Sequence, residues 1–205
     1  MYHRTLILAT ALFALLIVAV GHAQPARPTA GARTTIYAPL IRQPAASSSS
    51  VQNAEQQAIA QKVLDLVNIE RAKANPPCPP VTINESLTKA AQGHSQDMAV
   101  ANFFAHANLG GVGPGDRARA TGFTGLVGEN IAAGYSTANA VMNSWMTSTL
   151  GHRENILNCN YREIGIGYYY QVNDQNNIFI GTSSQGSPLY GGPCYTYWVQ
   201  DLGRP

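Results

Sequence analysis

The chain has 205 residues, a charged fraction of 12% and a formal net charge of +2 at pH 7. Soluble domains usually carry about 25% charged residues, so uncharged polar and aromatic groups must supply much of this surface. No lysine or arginine block is present, which argues against a nucleic-acid partner.

His3 and Arg4 precede a continuous apolar run from Leu6 to Val20, and Gly21-His22-Ala23 offers small residues for cleavage. The run is shorter than the roughly 20 residues of a spanning helix. A signal peptide over 1–23 is expected, with a retained N-terminal anchor as the alternative; no stable membrane span is expected after cleavage. Residues 24–53 are rich in Pro, Ala, Ser and Thr and lack a sustained period. Such a segment cannot offset the entropy of ordering, and it reads as a flexible linker ahead of one domain over 54–205.

Within that domain, Ile59, Val63, Leu66, Val67 and Glu70 recur at helical spacing, predicting a helix from Glu55 to about Ala74 that Asn75-Pro76-Pro77 stops. Asn84 can cap a second helix, with Ile83 as its staple residue, and Leu87, Ala91, His94 and Met98 then share one stripe. Gly110 to Gly115 reads as a loop, followed by a helical turn at Asp116 to Thr121 ending at Gly122. Glycine and asparagine around Gly128-Glu129-Asn130 predict backbone turns. Thr137 can cap a helix through Trp145, and a short helical piece is expected from Arg153 to Leu157. The period then changes to two: Ile164, Ile166, Tyr168 and Tyr170 alternate with Gly165, Gly167 and Tyr169. Residues 173–176 read as a hairpin loop leading to a strand at Ile178 to Thr182, with a last strand at Tyr195 to Leu202. Helices first and strands later argue an α+β fold.

Several short phrases recur in a fixed order: Leu66-Val67-Asn68-Ile69-Glu70-Arg71, Gly93-His94-Ser95-Gln96-Asp97-Met98, Phe104-Ala105-His106, Asp116-Arg117, Gly128-Glu129-Asn130-Ile131, Gly151-His152-Arg153-Glu154-Asn155-Ile156-Leu157 and Tyr197-Trp198-Val199-Gln200-Asp201-Leu202-Gly203. Together they resemble the CAP superfamily, the SCP-like proteins that include cysteine-rich secretory proteins, venom antigens and pathogenesis-related proteins, in its short bacterial branch. The resemblance implies an α-β-α sandwich with a central antiparallel sheet. It also implies a cleft in which two histidines and two glutamates can hold a divalent cation. Three of these positions fall on His106, Glu129 and His152; the fourth, a glutamate in relatives, is Ser148 here. Two histidines and one carboxylate suit zinc with one position left for water.

Other roles stand beside these. Glu129 can equally cap the turn that follows it. His94, on an apolar stripe, reads as a core histidine, with a fourth-ligand role as the alternative. Glu154 lies within a turn of His152 and fits an ordinary surface pair with Arg153. Cys78, Cys159 and Cys194 allow at most one internal bridge. The resemblance implies Cys78 with Cys159, leaving Cys194 free or bridging two chains.

The functional expectation is a secreted CAP-domain protein whose His/Glu cleft binds a divalent metal, zinc foremost, and a small or lipid-like ligand without turning it over. One alternative is a metal-dependent extracellular hydrolase acting on cell-wall or surface material. The other is a cell-surface structural or adhesion module. Fold alone does not choose among them.

Overall fold

A computed structural model describes residues 48–205. The expected signal peptide, and the expected linker as far as residue 47, lie outside the described residues. The first helix, α1 (Ser48–Lys73), starts seven residues before the expected Glu55, so the last six linker residues are helical. No glycine or proline interrupts the chain from Ser48 to Lys73, and a helix once nucleated propagates into such sequence. Arg71 and Lys73 lie in its last turn, where cations meet the negative end of the helix dipole. Val63, Val67 and Arg71, four apart, make one fully buried stripe.

The cap on α2 (Glu85–Val100) forms as the sequence predicts: Leu87 N–H donates to Asn84 Oδ1 at 3.0 Å. Ile83 does not act as a staple. It lies in the short strand β1 (Thr82–Ile83), beside Ile164, and stays 41% exposed. The chain continues through α3 (Pro114–Ala120), β2 (Leu126–Ala133), α4 (Ala138–Thr147), α5 (His152–Ile156), β3 (Glu163–Tyr170), β4 (Ile178–Thr182), β5 (Pro188–Gly191) and β6 (Thr196–Arg204). Thr137 caps α4 as expected, its Oγ1 accepting from Ala140 N–H.

The main sheet runs β1-β3-β6-β2, antiparallel except where β1 lies parallel to β3. On one face α1, α4 and α5 bring Val63, Val67, Trp145 and Ile156 against Ile164, Ile166, Trp198 and Leu202. On the other face α2 packs Ala91 and Met98 against Ile131, Tyr197 and Val199, with Leu87, Ala118 and Phe123 beside them. The result is the α-β-α sandwich. Residues 196–203 of the inner strand β6 are all buried because both faces are covered.

Two further expectations are corrected. Gly128-Glu129-Asn130 is the middle of strand β2, not a turn, and pairs with Leu202, Asp201 and Gln200 of β6. Buried polar residues with partners replace the apolar alternation that marks a strand. Residues 173–176 do not close a hairpin between β3 and β4. Within the main sheet β3 pairs with β1 and β6, while β4 pairs with β5 in a separate two-stranded sheet. Asp174 explains that connection: its carboxylate accepts from Cys194 N–H, Tyr195 N–H and the Tyr197 hydroxyl at 2.6, 2.8 and 3.0 Å. It ties this loop to the start of β6 instead. The strand β5 has no counterpart in the sequence reading.

The alternation of glycine in β3 has a steric cause. A Cβ on Gly165 would stand 2.1 Å from the Leu87 carbonyl carbon, and one on Gly167 2.2 Å from the Ala91 oxygen. The backbone of α2 therefore rests directly on the strand. Gly165→Ala should cost about 3 kcal/mol or more in denaturant unfolding, at the upper end of overpacking effects. A loss below about 0.5 kcal/mol, the size of an ordinary surface change, would contradict this close packing.

Cys78 and Cys159 are joined, with Cα atoms 4.9 Å apart and a separation of 81 positions in sequence. Cys194 is the free cysteine. Chain-entropy arguments give a bridge of this span an upper value of about 4–5 kcal/mol. Thiol reduction should lower the unfolding midpoint measurably, and non-reducing peptide maps should contain the Cys78–Cys159 pair. A map joining Cys159 to Cys194 would overturn it.

Candidate functional site

The site forms at the β2 edge of the sheet. Because β2 is a strand, Glu129 and Asn130 point to opposite faces. Glu129 faces the α2 and α3 layer, where it is 7% exposed. His106, in the loop after α2, places Nδ1 2.8 Å from Glu129 Oε1. Arg117 of α3 donates from Nη2 to Glu129 Oε2, and from Nη1 to the His106 and Val112 carbonyls. One buried guanidinium thus holds both the carboxylate and the loop that carries the histidine.

Burial pushes the Glu129 carboxyl up, but the hydrogen bond from His106 and the charge of Arg117 outweigh it, leaving the group below the ordinary carboxylate value. An ionised carboxylate accepts and cannot donate. His106 therefore carries its proton on Nδ1 when neutral, leaving Nε2 as a free lone pair. Its side chain is 54% exposed, so that nitrogen is open to solvent.

His94 comes from α2 with no exposure at all. Its Nε2 is 2.9 Å from the Ala105 carbonyl, which can only accept, so the proton sits on Nε2. Burial lowers its pKa and keeps it neutral. The ring pins the residue before His106, with Phe103 beside it at 5.9 Å between centroids. This is the core role; Nδ1 meets no hydrogen-bond partner among the described residues.

Asn130 builds the other face. Its amide donates to the His152 carbonyl at 3.0 Å and to Gln200 Oε1 at 2.8 Å, and accepts from Asn155 Nδ2 at 2.9 Å. These bonds dock α5 against β2 and set His152 at its first position. His152 Nδ1 lies 2.7 Å from Ser148 Oγ, which also accepts from Leu150 N–H. Burial first, then the charge of His106, lowers the His152 pKa. Glu154 is exposed and acts on His152 only through its charge.

The structure therefore joins His106 to Glu129 and His152 to Ser148. The two pairs reach the edge of β2 from opposite faces. Among the described residues no three His, Cys, Asp or Glu side chains stand as a ready metal-binding group. Both Glu129 oxygens are committed, so Glu129 sits behind His106 as an orienting carboxylate rather than as a spare ligand. Each imidazole has its Nδ1 held by an oxygen, the kind of support that metal-binding histidines usually have.

Beside His152 lies a groove of about 370 Å³ lined mainly by apolar side chains, including Phe104, Ile131, Tyr135, Trp145 and Ile180, with Ser148 and Cys194 also on its wall. Sequence reasoning missed Arg117 and Asp201 as members of the site. Arg117 sits in a recurrent phrase, and that was its only signal; Asp201 pairs with Glu129 in the strand register.

A three-layer α-β-α domain with two supported histidines at one sheet edge has the architecture of the CAP domain. The model of the cysteine-rich secretory protein family, CAP, matches residues 64–202, and the chain belongs to that family. The Bacillus subtilis (strain 168) protein YkwD is 40% identical over 125 residues, 60% of this chain and 48% of YkwD. The membrane protein YlbC of the same strain is 30% identical over 145 residues, 70% of this chain and 41% of YlbC. The chain spans less than half the length of either relative. A crystal structure of an extracellular SCP-domain protein from Bacillus anthracis aligns with a TM-score of 0.58 and 27% identity, covering 78% of this chain and 44% of that one. An outer surface protein of Borrelia burgdorferi shares the fold at a TM-score of 0.50 and 20% identity, over 71% of this chain and 92% of its own. No helix among the described residues is long and apolar enough to cross a membrane.

Asp201 is fully buried, and neither oxygen meets a hydrogen-bond partner of acceptable geometry among the described residues. Burial and the charge of Glu129 push its pKa well above the ordinary value. A raised folded-state pKa gives a contribution that is complete below the unfolded value, about 3.9, and lost as pH rises toward the folded one. Asp201→Asn removes that loss. The variant should gain melting temperature relative to the parent, and gain more at pH 8 than at pH 5. A gain that is the same at pH 5 and pH 8 would show that Asp201 is already ionised in the folded protein at pH 5.

Proposed function

We propose that this is an exported CAP-domain protein whose cleft binds a divalent metal ion, zinc foremost, together with a small apolar or lipid-like ligand, without turning that ligand over. The observation that carries the reading is the support of the two histidines. Nδ1 of His106 is held by Glu129 and Nδ1 of His152 by Ser148, leaving Nε2 of each as the donor. Two imidazole nitrogens suit zinc better than magnesium or calcium, which prefer oxygen ligands. Ser148 in place of a carboxylate removes one charge from the set, so the metal is held moderately and keeps positions for water or ligand.

The apolar groove opens beside His152, so a ligand lying in it has its polar end next to the metal position. With both Glu129 oxygens engaged by His106 and Arg117, that carboxylate is poorly placed to act as a general base. That favours binding without turnover. Export is supported by the N-terminal apolar run and by the extracellular character of the Bacillus anthracis neighbour.

Zinc titration calorimetry tests the site. The parent chain should bind one zinc ion, with affinity falling in acid, because protons compete with the metal for the imidazole nitrogens. His106→Ala/His152→Ala should abolish binding while circular dichroism and melting stay close to the parent, since helices and sheet carry the fold. Equal affinity in parent and double variant would reject the site. Turnover of peptide or ester substrates by the zinc-loaded chain would replace this reading with the metal-dependent hydrolase.

A further inference from the structure

At the opposite edge of the sheet, α1 and α2 converge over the end of β3 and leave a polar cleft of about 440 Å³. That volume lies within the range of small-ligand sites, about 300–1,000 Å³. Beyond the short pairing of β1 with Glu163 and Ile164, this flank of β3 carries no further strand among the described residues. Gln92 of α2 closes part of it: Nε2 donates to the Tyr168 carbonyl at 3.0 Å and Oε1 accepts from Tyr168 N–H at 3.1 Å. The amide occupies the backbone groups that an added strand would need. Tyr168 is further held by Trp198, 4.6 Å away between ring centroids. The floor is a fixed aromatic surface, not an open strand edge.

The walls are amides. Asn53 and Gln56 come from α1, and Gln96 stands one turn beyond Gln92 on α2. Tyr170, 57% exposed, extends the aromatic floor to the rim. Neither Gln96 nor Tyr170 makes a side-chain hydrogen bond to another described residue. Among the described residues no lysine or arginine lines the cleft, and its single charged side chain is the carboxylate of Glu55.

This combination selects a chemistry. An amide presents a donor and an acceptor in one plane, matching a hydroxyl that both donates and accepts. Tyrosine rings offer flat apolar faces for C–H surfaces, with a polar edge. Polyanions meet a carboxylate and no counter-charge. We propose that this cleft is a binding site for an uncharged, hydroxyl-rich ligand, a short segment of neutral glycan, distinct from the metal cleft at the β2 edge. The domain then has two independent sites, and glycan binding lets it hold to surface polysaccharide while the other cleft takes its own ligand.

The full chain is titrated with chitotriose and cellotriose, followed by amide chemical shifts, with heparin as the anionic control. Saturable shifts are expected with at least one neutral trisaccharide, centred on Gln96 and on residues 168–170. Gln96→Ala and Tyr170→Ala should each weaken that binding at least about fivefold, the loss of roughly one hydrogen bond or one stacking contact. Both positions are exposed, and melting curves confirm that the variants fold. Tyr170→Phe, which keeps the ring, should retain most of the affinity. His106→Ala/His152→Ala should bind the trisaccharide like the parent, so failure of the metal reading and failure of this one are separable. No saturation with either trisaccharide, or tighter binding of heparin, overturns the proposal, as does unchanged affinity in both cleft variants.

Discussion

The guanidinium of Arg71 ties the end of α1 to two segments far apart in sequence, at 79 and at 156–161. It is fully buried at the end of α1 and has no carboxylate partner in reach of a salt bridge among the described residues. It donates instead to four carbonyls: Pro79, Ile156, Asn158 and Tyr161, at 2.7–3.0 Å. Hydrogen bonds from a charged donor are worth about 1.5–3 kcal/mol each, and desolvating the cation offsets much of their sum. The net energy matters less than the geometry. Burial lowers the Arg71 pKa, with Arg162 adding to the effect, yet arginine starts so high that it stays charged. Four carbonyls from two segments are therefore held about one point, and α5 is the element between them and the site. The Cys78–Cys159 bridge closes the same junction covalently, since Cys78 N–H donates to the Arg71 carbonyl.

From that junction the site is organised by β2 as a partition. Glu129 works on one face with Arg117 and His106, and Asn130 on the other with Gln200, Asn155 and the His152 carbonyl. A strand with apolar residues at 129 and 130 would pair equally well with β6, but it would give neither histidine a fixed approach. Hydrogen-bonded polar networks inside a sheet are costly unless complete. Here the Asn130 amide has partners for its nitrogen and its oxygen, while burial and the charge of Glu129 push the unpartnered Asp201 toward its neutral form.

The helices were legible in the sequence because their signals are local. Asn84 and Thr137 cap where their side chains predict, and Leu87, Ala91, His94 and Met98 fall on the buried stripe that their spacing draws. Strand β3 was legible for the same reason, although its alternation with glycine reflects contact with α2 and not solvent. Strand β2 was hidden because Glu129 and Asn130 are buried by partners 12 to 70 residues away, which no local period contains. The family phrases located His106, Glu129 and His152, but not how they divide. That Glu129 serves His106 depends on Arg117 reaching across from α3, and that Ser148 holds His152 depends on the turn between α4 and α5. Ser148 looked like a loss from the site; in the structure its hydroxyl meets Nδ1 of His152 and fixes the ring.

Strand β6 is the last element in sequence and an inner strand of the main sheet, flanked by β3 and β2. A chain that emerges N-terminus first, from a ribosome or through a membrane pore, has both flanking strands before the one that joins them. Until residues 196–204 arrive, β2 and β3 have no common partner and the surfaces of α1 and α2 have no complete sheet to cover. The pairings concerned are long in sequence, and such contacts form slowly. The order of elements therefore withholds the complete sheet, and with it the surface that both helical layers cover, until residues 196–204 are in place.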